Sequence, residues 1–436
     1  MNSSNWQNNV AIAGVGLAAA AVAMRLLSCG FRPVLLSRGL PHIKGVEAIP
    51  ESALRLFDAL DLTPALQMAG GFWVEGFENA WQGNESVIRP GRYIHVERSL
   101  LAQAAIAMVM QQGAAMVSSN TIAPLVVEKA SVRVIIDGVE QRFAAAIDAT
   151  GRSALWSRPI ERHTREMAQI FSTFGDESLL RGRIAQFSGG WAYHLGLPDT
   201  MTVGVVSPHH TSYEQVQELI RENLCLPAKQ LHVVGRRPVS PQWAEAPIQD
   251  RRLAVGDAAL AYSPIAGQGI RFALSSALAA AAVVRTWRDS PADADYATQY
   301  YHELVNAEKL RHLSNINSLS SNQALPTNPA QPSFNNAALP SRVYYTGQTK
   351  MTGLYINGLI KCTEAIALPD GNIVRWLGNF DLLTMRDYCT NPLATTSLIE
   401  QLHRQQLAEA QALYLIRWCL EHNIISTADI KGNWDN

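Results

Sequence analysis

Gly14, Gly16 and Ala19 stand in the pattern Gly-x-Gly-x-x-Ala, behind the apolar run Val10 to Ala13 and at the head of the Ala/Leu-rich stretch Leu17 to Ser28. Each position has a physical role in holding a dinucleotide. Gly14 permits a tight turn, Gly16 lets a pyrophosphate approach the backbone, and Ala19 lets the helix pack close to its sheet. Free N–H groups at the helix start, at Leu17 and Ala18, face the phosphate charge. An acidic residue at the end of the next strand usually takes the ribose, but Leu35-Leu36-Ser37-Arg38 puts Ser37 there, able to make one hydrogen bond, with Arg38 beside it. A second glycine-rich stretch lies far along the chain. Gly256-Asp257 follows Leu253 to Val255, and Pro264-Ile265-Ala266-Gly267-Gln268-Gly269-Ile270 opens a second Ala-rich run.

Such residues need regular elements to hold them. Val10 to Ala13 reads as a strand, Leu17 to Ser28 as a helix stopped at Gly30, and Pro33 to Leu36 as a second strand, a βαβ unit whose crossover makes the strands parallel. Ser99 to Gln112 reads as a helix ended by Gly113. Ile122 to Val127 and Ser131 to Ile136 read as strands before an Asp137-Gly138 turn, and Phe143 to Ala149 as another apolar strand. From Thr164 to Val239 the pattern is strands between polar turns, including Gly190 to Gly196 and Met201 to Val206, which predicts a β-rich layer inserted over about 164–245. Leu253 to Val255 then returns to a buried strand, and Gly269 to Val284 is a helix.

Between Arg311 and Arg342 there is no Asp, Glu, Lys or Arg, and Pro326, Pro329, Pro332 and Pro340 interrupt Ser, Asn and Gln. This composition predicts an extended linker or lid, 321–342, between a first domain, 1–320, and a small C-terminal module, 343–436. In the module a hairpin is expected around Pro369-Asp370-Gly371, with helices over Thr396 to His403 and Glu409 to His422. The second helix carries Ala412, Leu415, Ile416 and Cys419 on one stripe.

Composition sets the bounds. With 436 residues, 47% of them hydrophobic and 17% charged, the chain can bury a sizeable core and favours two domains. The balance of 36 basic against 37 acidic residues argues against a whole-chain footprint for nucleic acid or an anionic membrane. Five scattered cysteines with no CxxC pair suggest neither a disulfide framework nor zinc. His209-His210 lacks a partner at ligand spacing, so no metal is expected. The run Val10 to Met24 has no preceding positive charge and two glycines, and is too short for a span. A buried strand and helix fit it better than a secretory signal, and the expected location is cytoplasmic.

Together these motifs resemble those of the FAD-dependent flavoprotein monooxygenases of the aromatic hydroxylase type and of the flavin-dependent tryptophan halogenases. The resemblance implies an α/β (α+β) fold, a Rossmann-like FAD domain with an inserted β-rich substrate layer. It implies that Gly256 and Asp257 bind the ribityl and pyrophosphate region. The turn Gly267, Gln268, Gly269, Ile270 would set N–H groups and a helix N-terminus beside the flavin pyrimidine edge, where a positive dipole favours the reduced ring. Three further stretches agree. Val96-Glu97-Arg98-Ser99-Leu100-Leu101 is similar to the family's helix-opening segment, which makes Arg98 a cofactor contact. Asp148-Ala149-Thr150-Gly151-Arg152 is similar to its strand end against FAD, with Ala149 at the cofactor. Gly45-Val46-Glu47-Ala48-Ile49-Pro50 resembles the segment that halogenase-like members run past the flavin, which makes Glu47 a catalytic candidate, although a surface or capping carboxylate explains it equally.

Halogenases need a lysine near the substrate and a Trp-x-Trp-x-Ile-Pro segment. Neither is present, and in Phe72-Trp73-Val74-Glu75-Gly76 Trp73 falls in the lysine's place. The resemblance therefore implies hydroxylation of an aromatic substrate through a flavin C4a-hydroperoxide, with NAD(P)H as a transient reductant and a separate reductase partner equally compatible. In Gly189-Gly190-Trp191-Ala192-Tyr193-His194, Trp191 and Tyr193 share one strand face and could stack a flat substrate. Ordinary sheet packing explains them at least as well, and His194 on the other face reads as a satisfied histidine. The C-terminal module is similar to small winged-helix-like modules of peptide-modifying enzymes, which implies a polypeptide substrate, such as a tryptophan side chain modified during quinone cofactor biogenesis; a cover or a dimer contact is the plainer reading. A small-molecule halogenase or reductase, and a flavoprotein that only escorts a polypeptide, share the same motifs. Oligomeric state is not encoded in any of them.

Overall fold

The computed structural model describes residues 6–41, 44–81, 86–119, 122–128, 130–157, 166–176, 179–208, 211–224, 226, 231–320 and 338–428. His209-His210 and the core of the expected linker, 321–337, lie outside them. The chain divides into two compact units, Met1–Leu325 with Asn357–Leu359, and Pro326–Ile356 with Ile360–Asn436.

The first unit opens with β1 (Asn9–Ala13), α1 (Leu17–Ser28) and β2 (Arg32–Ser37), the expected βαβ unit. Then come β3 (Val46–Pro50), the short helices α2 (Leu54–Ala59) and α3 (Thr63–Met68), β4 (Phe72–Ala80), β5 (Val87–Glu97) and α4 (Arg98–Gln111). After β6 (Ala115–Ser118) a three-stranded meander, β7 (Ile122–Glu128), β8 (Ser131–Ile136) and β9 (Val139–Phe143), leads into β10 (Ala145–Asp148). Phe143 to Ala149 is thus not one strand. Phe143 ends the meander and pairs with Val132, whereas Ala145 to Asp148 pairs with β1 in a different sheet.

The second half of the unit runs β11 (Glu166–Phe174), β12 (Gly182–Phe187), β13 (Gly190–Gly196), β14 (Thr200–Pro208), α5 (Tyr213–Leu224) and β15 (His232–Pro238). It continues with the short strands β16 (Gln242–Trp243), β17 (Ile248–Gln249), β18 (Arg252–Ala254) and β19 (Leu260–Ala261), then α6 (Gly269–Asp289) and α7 (Ala294–Ser320). Two expectations change here. The stretch from 164 to 239 is not all strand, because Val216, Ile220 and Leu224 recur every four residues and bury a helical stripe on the sheet core formed by Phe171, Ala192, Val203 and Val205. The charge-free stretch after Arg311 begins as helix, since α7 runs to Ser320.

Two sheets organise this unit. The first has the order β17-β18-β10-β1-β2-β6, parallel except for β17. Register matters most: Ala13 lies opposite Asp148, and Asp148 opposite Ala254, so three strands end level. The second sheet has the order β15-β11-β14-β13-β12-β4-β5-β3. The β-rich layer is therefore not only an insertion at 164–245, because β3, β4 and β5 from the first hundred residues complete it, β4 joining β12 in parallel. Helix α6 is long and apolar enough to cross a membrane, yet it packs against α1 and α7 and buries Phe272, Leu274 and Ala279 to Val284.

The second unit holds β20 (Arg342–Tyr345), β21 (Gln348–Ile356), β22 (Leu359–Ala367), β23 (Ile373–Val374), β24 (Trp376–Leu377), β25 (Phe380–Asp381), α8 (Leu383–Cys389), β26 (Leu393–Ala394), α9 (Thr395–Arg404), α10 (Glu409–Glu421) and β27 (Ile425–Thr427). β22 and β23 form the expected hairpin, with Gly371 at φ +84° in its turn. Strand β20 sits between β26 and β27. Ala412, Leu415, Ile416 and Cys419 of α10 are buried together with Leu398 and Leu402 of α9, as their spacing requires.

Candidate functional site

Because β1, β10 and β18 are parallel and end in register, the residues that follow them meet at one carboxyl edge, where open α/β sheets bind ligands. Gly14 follows β1 with φ +111°, and a Cβ there would lie 2.4 Å from the Ala149 carbonyl oxygen. The first motif thus touches the stretch Asp148 to Arg152. Gly256 follows β18 at φ +57°, where a Cβ would lie 3.0 Å from the Ala18 Cβ, and its N–H donates to Ser276 Oγ of α6 at 2.9 Å. The second motif thus touches the first.

Gly16, the residue capping α1, has extended backbone, carries no side-chain cap, and a Cβ there would meet nothing within 4 Å. Leu17 and Ala18 open the helix, whose first turn contains no acid. The other glycine turn has the same character. Gly267 (φ +59°) and Gly269 face open space, and Gln268 precedes α6 with no side-chain cap. Ile270 continues the first turn of α6, half-buried. These two uncapped helix starts with room above their glycines fit an anionic dinucleotide.

Ser37 is spent locally. Its hydroxyl donates to the Gly39 carbonyl at 2.6 Å and accepts from the Gly39 N–H at 3.2 Å, and Arg38 is exposed. Ala149 donates its N–H to the Ala13 carbonyl at 2.8 Å, while buried Asp148 accepts from Thr150 Oγ1 (2.6 Å), Trp156 N (2.7 Å) and Ser157 Oγ (2.8 Å). Asp148 therefore shapes the loop behind Ala149.

The remaining charged groups converge. β3 lies antiparallel to β5 with Val46 opposite Glu97, so the next residue, Arg98, reaches Glu47 at Nη1–Oε1 3.1 Å. Glu47 holds the Arg98 guanidinium above its usual range against partial desolvation, and Asp257 adds to the effect, so the second motif also acts on this arginine. Tyr193 from β13 and Arg237 from β15 complete a cleft of about 40 Å³ with Glu47, Arg98 and Thr202. Burial first, then the Glu47 charge, pushes the Tyr193 phenol up to about 12, so it keeps its proton at neutral pH. Desolvation and the neighbouring Arg98 lower Arg237.

Trp191 is 7% exposed and packs with Ile170, Val206 and Val239; partly buried Trp81, Tyr193 and Ile265 lie against that cluster. Sheet packing thus accounts for Trp191, but Ile265 is the residue two before Gly267, so the aromatic wall also touches the glycine turn. His194 points the other way. It is 2% exposed, and burial, then Arg183, lowers it to about 4. Trp73 is 42% exposed beneath the Arg92 guanidinium, 4.3 Å from its ring centroid.

Four contributors escaped the sequence reading. Glu97 caps α4, accepting from Ser99 N (2.7 Å) and Leu100 N (3.0 Å), while its other oxygen accepts from Gly45 N (2.9 Å), so one carboxylate holds both the Glu47 and the Arg98 backbones. An acid just before a helix was the signal available for it. Arg237 had no local signal. Gly204 lies across from Tyr193, and a Cβ there would come within 2.1 Å of the ring, so only glycine leaves the ring its place. Trp81 presents a buried Nε1–H with no partner among the described residues.

No protein-family description and no curated protein matches the sequence. Solved structures do. The peptidyl tryptophan dihydroxylase QhpG, essential for tryptophylquinone cofactor biogenesis, matches with TM-score 0.71 at 20% identity over 95% of this chain and 99% of its own. The flavin-dependent halogenase CmlS matches with TM-score 0.73 at 15% identity over 98% and 96%. PqsL, a probable FAD-dependent monooxygenase from Pseudomonas aeruginosa, matches with TM-score 0.59 at 18% identity over 72% and 95%. The chain accordingly has the fold of the FAD-dependent aromatic hydroxylases and halogenases.

Proposed function

We propose that the chain is an FAD-dependent monooxygenase that hydroxylates an aromatic substrate, and that this substrate is a tryptophan side chain in a polypeptide. One observation carries the first part: three separated motifs meet at one open carboxyl edge, with Gly14 on Ala149 and Gly256 on Ala18, while Arg98, paired with Glu47, also feels the charge of Asp257. The likeness to QhpG, which spans nearly all of both chains, supports the second part. Halogenation is disfavoured, since Trp73 stands exposed in the lysine's place.

The residues present fit FAD. Gly14, Gly16 and the start of α1 would hold its pyrophosphate, Arg98 and Asp257 its polar chain, and Gln268 with the start of α6 the pyrimidine edge. When bound and reduced by NAD(P)H, the flavin supplies activation of dioxygen: one atom enters the substrate and the other leaves as water. Trp191, Tyr193 and Trp81 offer ring faces that exclude water and orient a flat substrate. Tyr193 holds its proton at Oη as a donor, and Glu47 pairs with Arg98 rather than standing free as a base.

The test is an absorbance spectrum of FAD-supplemented protein, anaerobic reduction with NADH, and re-exposure to oxygen with tryptophan-containing peptides and free aromatic compounds. Flavin uptake and a mass gain of about 16 per oxygen atom on a peptide are expected. A chlorine isotope pattern in the presence of chloride would replace the hydroxylase reading, modification of free aromatics alone would remove the polypeptide reading, and failure to take up flavin would overturn both.

A further inference from the structure

The N-terminal turn of α6 carries a cation where a helix disfavours one, and a carboxylate from α7 answers it. Arg271 lies in the first turn of α6, whose partial positive charge raises the cost of a guanidinium there. Its Nη2 donates to Glu308 Oε2 at 2.8 Å, and its Nε donates to Gln268 Oε1 at 2.5 Å. Glu308 is only 12% exposed at its side chain, and the same Oε2 accepts from Tyr262 Oη at 2.7 Å while Oε1 accepts from Arg311 Nη1 at 2.7 Å. Burial would raise this carboxyl, but its bonds to Arg271 and Tyr262 and the charges of Arg271 and Arg311 together outweigh it and hold Glu308 below its usual range.

Two consequences follow for the glycine turn. With Oε1 of Gln268 taken by Arg271, the amide keeps its NH2 as its donor end. With Glu308 beside it, part of the charge that Arg271 brings to the helix start is offset, Glu308 being shared with Arg311. We propose that Glu308 is a positioning residue that, through Arg271, fixes the Gln268 amide as a donor and sets the electrostatic potential at the turn that faces the flavin. This rests on the FAD reading above. Glu308 acts through Arg271, and its removal leaves an uncompensated guanidinium at the positive end of α6. A flavin there would be easier to reduce, because the reduced ring carries negative charge that the cation favours.

The experiment measures two quantities on FAD-reconstituted protein: FAD affinity, by titrating apoprotein, and the flavin midpoint potential, by reductive titration against a reference dye. Glu308→Gln keeps the shape of the side chain and removes its charge. Its FAD affinity is expected to stay within about threefold, and its potential to rise by about tenfold in the reduction equilibrium, about 30 mV for a two-electron couple. Arg271→Gln should move the potential the opposite way, and the double variant should return toward the parent, a pattern that a merely structural role would not produce. If Glu308→Gln does not fold, the fall expected of Arg271→Gln carries the test. Wild-type protein that takes up no FAD would overturn the FAD reading and this proposal with it; FAD uptake with unchanged potentials in the variants would overturn this proposal alone.

Discussion

Arg98 Nη1 lies 3.1 Å from Glu47 Oε1, and the pair exists because Glu97, the last residue of β5, grips the Gly45 N–H with one oxygen and caps α4 with the other. The ion pair is itself half-exposed, so it contributes little to stability. Its value lies in holding a guanidinium that also feels the charge of Asp257.

Glu47→Gln should therefore change the stability of the apoprotein by less than about 1 kcal/mol and lower product formation in the FAD-loaded protein. Thermal melts beside product yield check this. Full turnover in the variant would remove Glu47 from the site.

The two glycines of the first motif should separate fold from ligand. Gly14→Ala forces a side chain into φ +111° and against the Ala149 carbonyl, so the apoprotein itself should be destabilised, by about 1–3 kcal/mol. At Gly16 a Cβ would meet nothing within 4 Å, so Gly16→Val should melt close to the parent while losing FAD. Denaturant melts of apoprotein and flavin titration read the two effects independently; normal flavin binding by Gly16→Val would be incompatible with the assigned cradle.

At the aromatic wall, Trp191→Ala and Trp81→Phe should spare flavin content yet impair coupling of NADH oxidation to product, the second by removing an N–H donor without changing the apolar character of the site. Gly204→Ala should expel the Tyr193 ring and destabilise the fold by about 1–3 kcal/mol. Coupling efficiency that matches the parent in both tryptophan variants would relegate them to packing.

Acid should weaken the fold before its carboxylates protonate. Burial holds His194 and His312, the latter on α7 and 2% exposed, at about 4, against 6.5 for the free side chain, so below pH 6.5 the unfolded chain binds protons that the folded one refuses. Stability is then full above about 6.5 and falls toward pH 4, at up to about 1.4 kcal/mol per pH unit for each histidine. Denaturant melts from pH 7.5 to 4.5 measure the slope, and His194→Gln should flatten it; a pH-independent midpoint over that range would contradict the burial argument.

What the sequence by itself determined was local. Glycine spacing, alanine runs and turn residues located β1, α1, α6 and the hairpin at Gly371, because short-range sterics and helix propensity act within a few residues. It also marked Gly14, Gly16, Arg98, Ala149, Gly256 and Asp257, whose roles depend on motif and strand end. Helix α5 was legible too, in the four-residue recurrence of Val216, Ile220 and Leu224, but the surrounding strand texture outweighed it. Tertiary structure alone decided which distant residues share a site. The register of β1, β10 and β18 puts Gly14 on Ala149 and Gly256 beside Ala18, and the β3–β5 pairing puts Glu47 on Arg98. Arg237, Gly204 and Glu308 carry no local mark, since each acts on a residue tens of positions away, or across a sheet, through a contact that only chain crossing creates.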